Sequence, residues 1–563
     1  MVYKINKYFK YLNFKLIFLI LTTFLTIFIT DLFYFSPASP DFPKYSIYFD
    51  YFSGKVDTTS LEQNLSYYFL QSLNLFFKND YLYEYNYEIV LDSSIAMVNN
   101  IFYIIGIVGV YNLLKYFKFS KQNIYFSLIL LNFFPPIIGS RLIYKPEIFI
   151  FAILPWLLYS LEVYKDIKTN FYLISSFILG VFLFTVKPTS TAMIGLFILY
   201  RYRKTLRAEF KKIFLFLIVF LILCFPLFIE DYEANGYFYL NHPNEDVYND
   251  QAPLNFVYNI NLKELISKPY QHNHADSLIG ITLLDTFGDY YHLLWENDAS
   301  LFKYNEIRFG NNFFIKNYLE KYIGIVLTLL FYFAIVVYSN KDKKIKDFLI
   351  LPFFGIGTLL VVSYTGNFQL QTGDILKTHY YSFLLAICFC FLIAKIFESI
   401  SLNLKIFFST LLIIMSLYII GFPKTQSEEF TDYLVQNNVS KIYCNLNNYL
   451  IVGDRSNCNQ KIQNVCDFNL NNKNVNYIRS KSKFVNLETN FIEYGDEVPI
   501  LIKGNKKVSN INSEPCREFI KKGFKPIKKN YDINVFPIFN IFVLILNCII
   551  ILNLHFRKPE KFN

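Results

Sequence analysis

Acidic side chains occur in a tyrosine-rich stretch, residues 31–94, between the first two apolar segments of the chain. Asp31 and Asp41 lie early in this stretch, and Glu62 follows. A carboxylate beside a bound hydroxyl group can take its proton and so act as a general base. Tyr45 follows Asp41 by four residues, so a helix here would place both on one face. Asp41 could equally cap such a helix, and the residues alone leave both interpretations open.

Basic side chains lie beside prolines and aromatic residues in three short connections between later apolar segments. The connections read Ser-Arg-Leu-Ile-Tyr-Lys-Pro-Glu over 140–147, Thr-Val-Lys-Pro over 185–188 and Lys-Thr-His-Tyr over 377–380. Their candidate ligand-binding residues are Arg141, Tyr144, Lys145, Glu147, Lys187, Lys377, His379 and Tyr380. Lysines and tyrosines at helix ends often only anchor the helix at a membrane surface. The conjunction of bases and carboxylates instead favours a site for an anionic ligand.

Long apolar segments must position these residues. Twelve are present, at about 13–30, 95–114, 123–140, 146–161, 170–186, 188–201, 212–229, 321–338, 348–364, 379–397, 404–421 and 535–554. Runs of this length and composition predict membrane-spanning helices. The expected fold class is therefore an α-helical polytopic membrane protein with about 12 transmembrane helices.

The charge pattern fixes the expected side of each connection. With both termini inside, every inner connection is basic, as in residues 201–212, so twelve spans obey the positive-inside rule throughout. Arg141 and Lys187 then lie on the outer side, where basic residues are depleted. No acid adjacent in the sequence explains either charge. We therefore expect a lipid phosphate as their partner.

Composition excludes several classes of protein. The chain has 563 residues, of which 54% are hydrophobic and only 17% charged, so it is not a disordered protein. A net charge of +10 would favour nucleic acid binding in a soluble protein. Here the basic residues mark the cytoplasmic side, and no nucleic acid partner is expected.

The outer side holds two long loops and a late segment. The first outer loop is 31–94, and the middle outer loop, 230–319, is acidic. Five of the six histidines also fall outside; they are too scattered for a metal site, and such histidines are most often polar surface residues. The late segment, 423–533, has short strand-like runs that predict a small extracytoplasmic α+β domain. Residues 1–422 then form the main transmembrane domain, and 534–563 the last helix and cytoplasmic tail.

Cysteines divide evenly between the late segment and the apolar segments. One or two disulfides are expected in the late segment, because it lies in an oxidising compartment. Its cysteines are Cys444, Cys458, Cys466 and Cys516. The others are interpreted as core residues of the spans. They are Cys224, Cys388, Cys390 and Cys548.

In their order and sidedness, these motifs resemble the GT-C superfamily of membrane glycosyltransferases. The branch concerned contains the protein O-mannosyltransferases and the lipid A aminoarabinose transferase. An acid in the first outer loop is matched by Asp41 or Asp31, and an acid near the start of the fourth helix by Glu147. A "G…TKP" pattern is matched over 180–188, and a basic-aromatic start of a late helix over 377–380. The resemblance covers about residues 1–420. This chain departs from the family pattern at the start of the late helix, where it has Lys-Thr-His-Tyr instead of the usual Arg-Tyr.

The resemblance implies a GT-C-like fold and an inverting transfer of a sugar from a polyprenyl-phosphate donor. Asp41, or Asp31, would be the general base, and Glu147 would orient the sugar or the acceptor. The basic residues would neutralise charge on the leaving phosphate. They are Arg141, Lys145, Lys187 and Lys377. The remaining candidate substrate-binding residues are Tyr45, Glu62, Tyr144, His379 and Tyr380. No cofactor is required, although Asp41 and Glu147 could share a divalent metal ion.

Two other functions use the same class of lipid. One is a flippase or transporter of lipid-linked sugars, and the other is a polysaccharide polymerase or ligase. Against a transporter, few charged residues lie within the spans, and the polar residues collect at the outer surface instead of the middle of the membrane. The expected location is the bacterial inner membrane, with the site facing the periplasm or the exterior. The acceptor, whether protein, lipid or glycan, is left open.

Overall fold

Helices make up most of the described part of the chain. The computed structural model describes residues 14–33, 51, 69–70, 87–142, 146–235, 257–267, 269, 274, 277–288, 311–365, 378–420, 534 and 538–557, with short strands between 441 and 503. The helices are α1 Phe14–Phe33, α2 Tyr87–Tyr116, α3 Lys121–Leu131, α4 Pro135–Leu142, α5 Glu147–Ile167, α6 Asn170–Val186, α7 Pro188–Ala208, α8 Phe210–Asn235, α9 Leu262–Ser267, α10 Leu278–Asp285, α11 Asn311–Lys341, α12 Lys346–Leu349, α13 Leu351–Thr365, α14 Ser382–Ile396, α15 Leu402–Ile420 and α16 Ile538–Phe556. A 3₁₀ turn, Thr378–Tyr381, leads directly into α14.

The predicted class of helical membrane protein is confirmed. In the described residues, five helices are long and apolar enough to cross a membrane, and the pair α3–α4, bent by 61°, makes a sixth if it is one span. Four shorter apolar helices accompany them. Of the twelve predicted segments, 123–140 falls on the bent pair, 348–364 on α12 and α13, 379–397 on the 3₁₀ turn and α14, and each of the others mainly on one helix. Twelve spans and a GT-C-like fold stay predictions.

Helices α5 and α14 form the core of the bundle. Almost every residue of both is buried, and α5 packs between α2 and α6. A helix that is apolar on all sides can be buried on all sides. Aromatic rings fill the contacts: Phe102 of α2 stacks on Phe149 of α5 at 3.7 Å between ring centroids, and Phe149 faces Phe182 of α6 at 6.4 Å.

A close approach of α2 and α5 depends on Gly109. A Cβ atom at this position would lie 2.8 Å from Trp156 Nε1 and 2.9 Å from the Cβ of Pro155. The indole cannot move aside easily, because it is buried and donates a hydrogen bond to the carbonyl oxygen of Ile105 at 3.2 Å. Helix packing here therefore requires a residue without a side chain.

Substitution of Gly109 by alanine should accordingly destabilise the bundle. We expect Gly109→Ala to lower the free energy of unfolding by about 1–3 kcal/mol, the usual cost of overpacking. Chemical denaturation of the purified protein in detergent measures this. Gly195→Ala is the matched control, because a Cβ at Gly195 meets nothing within 4 Å and alanine favours the helix. Equal stability of the two variants would contradict the prediction.

The bundle has two distinct polar ends. At one end, which we call the base, Arg201 of α7 binds Glu162 of α5 at 2.5 Å and Asp347 of α12 at 2.6 Å. Lys395 of α14 binds Asp342, which follows α11, at 2.7 Å. At the other end, which we call the site end, α5, α7 and α14 begin. The two ends are about 22 Å apart along α5, from fifteen residues at 1.5 Å each.

This arrangement has the alternation that the charge pattern predicts. Residues 201–212, expected inside, form the last turns of α7 and the start of α8 at the base, whereas Ser140, Glu147 and Lys187, expected outside, lie at the site end. Successive helices therefore run in opposite directions between the two ends. The assignment of the site end to the exterior stays a prediction.

The late segment contributes short strands. β1 Lys441–Ile442, β3 Val485–Asn486 and β4 Phe491–Glu493 form a sheet in the order β1-β4-β3, with β1 parallel and β3 antiparallel to β4. β2 Val475–Asn476 pairs with β5 Ile502–Lys503 in antiparallel fashion. The predicted runs around 439–443 and 498–502 coincide with or touch β1 and β5. A separate α+β domain here stays a prediction.

Cysteine placement agrees with the sequence interpretation at three of the four apolar positions. Cys224, Cys388 and Cys390 are buried, but Cys548 is exposed, so its interpretation as a core residue is wrong. The reason is that α16 turns one face away from the bundle, as its exposed Ile545 shows. The cysteines predicted to form disulfides, Cys444, Cys458, Cys466 and Cys516, lie outside the described residues.

Candidate functional site

A buried ion pair at the site end joins two of the predicted site residues. Lys187 Nζ lies 2.5 Å from Glu147 Oε1, and the side chains are 16% and 1% exposed. Glu147 is the first residue of α5, directly after Pro146. Lys187 is extended, with φ −159° and ψ 104°, and links the end of α6 to Pro188, the first residue of α7. Proline suits the first helical position, so the Lys-Pro sequence itself places the lysine between the two helices.

This pairing corrects one premise of the sequence analysis. Lys187 was expected to lack an acid that explains its charge, but Glu147 lies beside it. The two residues are 40 positions apart, and only the packing of α5 against α6 and α7 brings them together. A phosphate ligand must therefore share Lys187 with Glu147 or displace it.

An aromatic turn completes this side of the site. Lys187 Nζ lies 4.3 Å from the centre of the Tyr380 ring, a cation–π contact. The rings of His379 and Tyr380 are 3.9 Å apart. Two residues further on, Ser382 Oγ lies 2.5 Å from Ser140 Oγ, next to Arg141 in the chain. The three basic connections predicted from the sequence thus meet at one end of the bundle.

Arg141 is fully buried and is held by α1 and α2. Its guanidinium carbon lies 5.4 Å from the centre of the Tyr103 ring, and Nη2 donates to the carbonyl oxygen of Thr26 at 3.5 Å. Asn99 Nδ2 donates to the backbone oxygen of Arg141 at 2.8 Å, and Tyr103 donates to Asn132 Oδ1 at 2.8 Å. A buried charge is costly unless it is paired or hydrogen-bonded, which explains why α1 and α2 surround Arg141 with polar and aromatic partners.

The site end combines charged side chains with the starts of three helices. Its basic residues are Arg141 and Lys187, and its acidic residues are Glu147 and Asp285. Helices α5, α7 and α14 also begin here, and each helix start carries a partial positive charge. Glu147 Oε2 is buried, and within the described part of the chain no hydrogen bond to it is found. The site can therefore bind an anionic group beside a carboxylate oxygen that accepts a hydrogen bond from a hydroxyl group.

The possible divalent metal ion concerns Glu147 and Asp41. Across the described ranges, no group of three or more His, Cys, Asp or Glu residues could hold a metal ion. Asp41, the other proposed ligand, lies outside the described residues, and a metal shared with it stays a prediction.

Several predicted residues cannot be placed beside this site. Asp31 lies in the last turn of α1, and nothing more is described of it. Outside the described residues lie Asp41, Tyr45, Glu62, Tyr144, Lys145 and Lys377. The structure therefore brings together Glu147, Lys187, His379 and Tyr380, and places Arg141 by α1 and α2.

Residues that were not predicted from the sequence support these groups. Asn99 and Tyr103 hold Arg141, and their four-residue spacing in an apolar helix was an available signal. Asp285 contacts the turn that carries His379, and the sequence analysis had counted it only among the acids of the middle outer loop. The expectation that outer histidines are surface residues is wrong for His274 and His379, which are both 2% exposed. Tertiary packing of short segments between the helices buries them.

Known proteins give no further guide to this site. Comparisons with protein-family models, curated proteins and solved structures find no match to the chain. The function must therefore be argued from the chemistry of the site itself.

Proposed function

We propose that the protein is an integral-membrane glycosyltransferase that transfers a sugar from a polyprenyl-phosphate donor to a hydroxyl acceptor. The observation that carries the proposal is the contact of buried Glu147 with half-buried Lys187, and of Lys187 with Tyr380, at the start of three helices. It combines positive charge for a phosphate with a carboxylate for hydroxyl groups. The resemblance of the sequence motifs to the GT-C superfamily supports the same reaction.

The proposed reaction is a single displacement with inversion. The acceptor oxygen attacks the anomeric carbon, the bond from that carbon to the phosphate oxygen breaks, and polyprenyl phosphate leaves with the bonding electrons. The proton of the acceptor passes to the first-loop aspartate, Asp41 or Asp31, as general base. Lys187 and Arg141 stabilise the charge that grows on the phosphate. Glu147 Oε2 accepts a hydrogen bond from a hydroxyl of the sugar or the acceptor.

A transporter of lipid-linked sugars is the main alternative, and the base of the bundle argues against it. Alternating access requires each end of a transporter to open in turn. Here Arg201 ties α5, α7 and α12 together at the base, and its side chain is only 6% exposed. Opening of this end in each transport cycle would have to separate Arg201 from Glu162 or Asp347. An enzyme entered only from the site end needs no such step.

The proposed location follows from the charge pattern. The basic stretch 201–212 forms the last turns of α7 and the start of α8 at the base, so we place the base in the cytoplasm and the site at the extracytoplasmic surface. In a bacterium, this corresponds to the inner membrane with the site facing the periplasm or the exterior. A polysaccharide polymerase or ligase would use the same lipid and the same side, and differs only in the acceptor.

Cleavage of the donor tests the proposal. Purified protein in liposomes is incubated with a polyprenyl-phosphate sugar labelled in the sugar, together with protein, lipid and glycan acceptors. We expect release of polyprenyl phosphate with transfer of the label to one acceptor class. Movement of intact donor across the liposome membrane without cleavage would favour the transporter and contradict the enzyme.

A further inference from the structure

Asp285, at the end of α10, makes two hydrogen bonds to the aromatic turn of the site. Its Oδ2 accepts from the backbone N–H of Thr378 at 2.5 Å, and its backbone oxygen accepts from Thr378 Oγ1 at 3.1 Å. Asp285 is 1% exposed and Thr378 is fully buried. The two residues are 93 positions apart, so this contact joins the middle outer loop to the start of α14.

The bonded N–H group lies at a helix start, where it has no partner within the helix. Thr378 opens the 3₁₀ turn that continues into α14. The first backbone N–H groups of such a segment need an outside acceptor, and a carboxylate there is also favoured by the helix dipole. Asp285 thus fixes the first residue of the turn, and the next two residues are His379 and Tyr380.

Helix α10 is itself firmly attached, so it can hold the turn in place. Ser277 caps its start: Ser277 Oγ accepts from Gly280 N–H at 2.9 Å and donates to the carbonyl oxygen of Asn259 at 2.5 Å. Two residues after Asp285, the ring of Phe287 packs between those of Phe134 and Phe331, at 5.2 Å and 5.7 Å. The carboxylate is therefore carried by an element anchored in the core.

We propose that Asp285 is a positioning residue that holds the Tyr380 ring against Lys187 and thereby sets the affinity of the site for a lipid phosphate. The chain of contacts runs from Asp285 to Thr378, along the turn to Tyr380, and from its ring to the Lys187 ammonium at 4.3 Å. This inference rests on the proposed function, because it assumes that Lys187 binds the phosphate of the donor.

Binding of farnesyl phosphate, with farnesol as the neutral control, tests the inference without requiring turnover. In the purified full chain, we expect Asp285→Ala to weaken farnesyl phosphate binding roughly 2–30-fold, the range for changes that act through a neighbouring contact. Asp285→Asn keeps an acceptor oxygen and should largely restore the affinity. Ser120→Ala is the matched control, since it removes a helix cap at the base, where Ser120 Oγ accepts from Asn123 N–H.

A double-mutant cycle distinguishes positioning of the Tyr380 ring by Asp285 from a merely stabilising role of Asp285. If Asp285 acts through the ring, Asp285→Ala should have little further effect on the affinity in a Tyr380→Leu background. Thr378→Val removes the hydrogen bond from the Thr378 hydroxyl group to the Asp285 carbonyl oxygen and should also weaken farnesyl phosphate binding. This variant tests the inference if Asp285→Ala does not fold.

The outcomes also separate the inference from the proposed function. Should the wild type bind farnesyl phosphate no better than farnesol, both fall. The wild type could instead prefer farnesyl phosphate while Asp285→Ala binds it as tightly as the wild type does. That result overturns only the positioning role. Thr378→Val replaces Asp285→Ala in this comparison if Asp285→Ala does not fold. Additive effects of Asp285→Ala and Tyr380→Leu would overturn it as well.

Discussion

Replacement of Lys187 by methionine is expected to reduce turnover of a polyprenyl-phosphate sugar by about 10²–10³-fold, the usual effect of removing one group that stabilises a developing negative charge. Methionine is an uncharged side chain of similar length, so the change chiefly removes the ammonium. Release of polyprenyl phosphate from the labelled donor measures the effect. We expect most of it in kcat, because the charge on the phosphate grows as the donor bond breaks.

The Glu147–Lys187 pair requires a control for its structural role. Lys187→Met leaves Glu147, 1% exposed, without its counter-charge, and this alone would destabilise the site. The double variant Glu147→Gln/Lys187→Met restores a neutral pair. If Lys187 acts on the phosphate, the double variant stays slow although it folds. Recovery of turnover would instead show that the pair only holds α5 to α7.

A second lysine serves as the matched control. Lys165 lies at the base of α5, is 44% exposed and reaches Glu162 at 3.9 Å. Lys165→Met makes the same chemical change about 27 Å from Glu147, from eighteen residues at 1.5 Å each along α5. We expect turnover close to that of the wild type. A loss equal to that of Lys187→Met would indicate a general effect of charge removal.

Replacement of Glu162 by alanine is expected to lower the free energy of unfolding by about 3–5 kcal/mol, the usual cost of removing one partner of a buried ion pair. Glu162 Oε1 accepts from Arg201 at 2.5 Å and from the hydroxyl of Tyr202 at 2.6 Å. Removal of the carboxylate abolishes both interactions. Arg201, 6% exposed, then keeps Asp347 as its one acid partner among the described residues. Denaturation of the purified protein in detergent measures the loss.

Two further variants define the origin of that loss. Glu398→Ala removes an exposed acid paired with Lys395 at 2.8 Å, and we expect at most about 1 kcal/mol. Glu162→Leu/Arg201→Leu replaces both charges by apolar groups and should recover much of the stability, because a buried pair is costly to desolvate. If Glu162→Ala lost no more stability than Glu398→Ala, the base would be open to water. Such a base could open in a transport cycle, and a transporter would no longer be disfavoured.

The ion pairs at the base of the bundle fix the helices that carry the site residues at the other end. Helix α5 carries Glu147 at one end and Glu162 at the other, and α7 carries Lys187 at its start and Arg201 near its end. Each helix is therefore held by an ion pair at both ends. Small shifts of α5 relative to α7 would break the Glu147–Lys187 contact. The base network thus contributes to the geometry of the site, although it touches no part of it.

The sequence by itself determined where the helices lie and several of their ends. All twelve apolar segments became helices, because length and composition are local properties that packing does not alter. Pro146 and Pro188 mark the starts of α5 and α7, since proline cannot continue a preceding helix but suits a first turn. Four of the predicted site residues, Glu147, Lys187, His379 and Tyr380, were accordingly placed at the correct helix ends.

Only the tertiary structure decided which helix is central and which side chains meet. Helices α5 and α15 are both apolar, yet α5 is buried and α15 largely exposed. Sequence cannot separate them, because lipid tails are as apolar as a protein core and leave no polar face on an outer helix. Likewise, Glu147 meets Lys187 across 40 residues and Asp285 meets Thr378 across 93. No local periodicity encodes such contacts, which exist only once the helices pack.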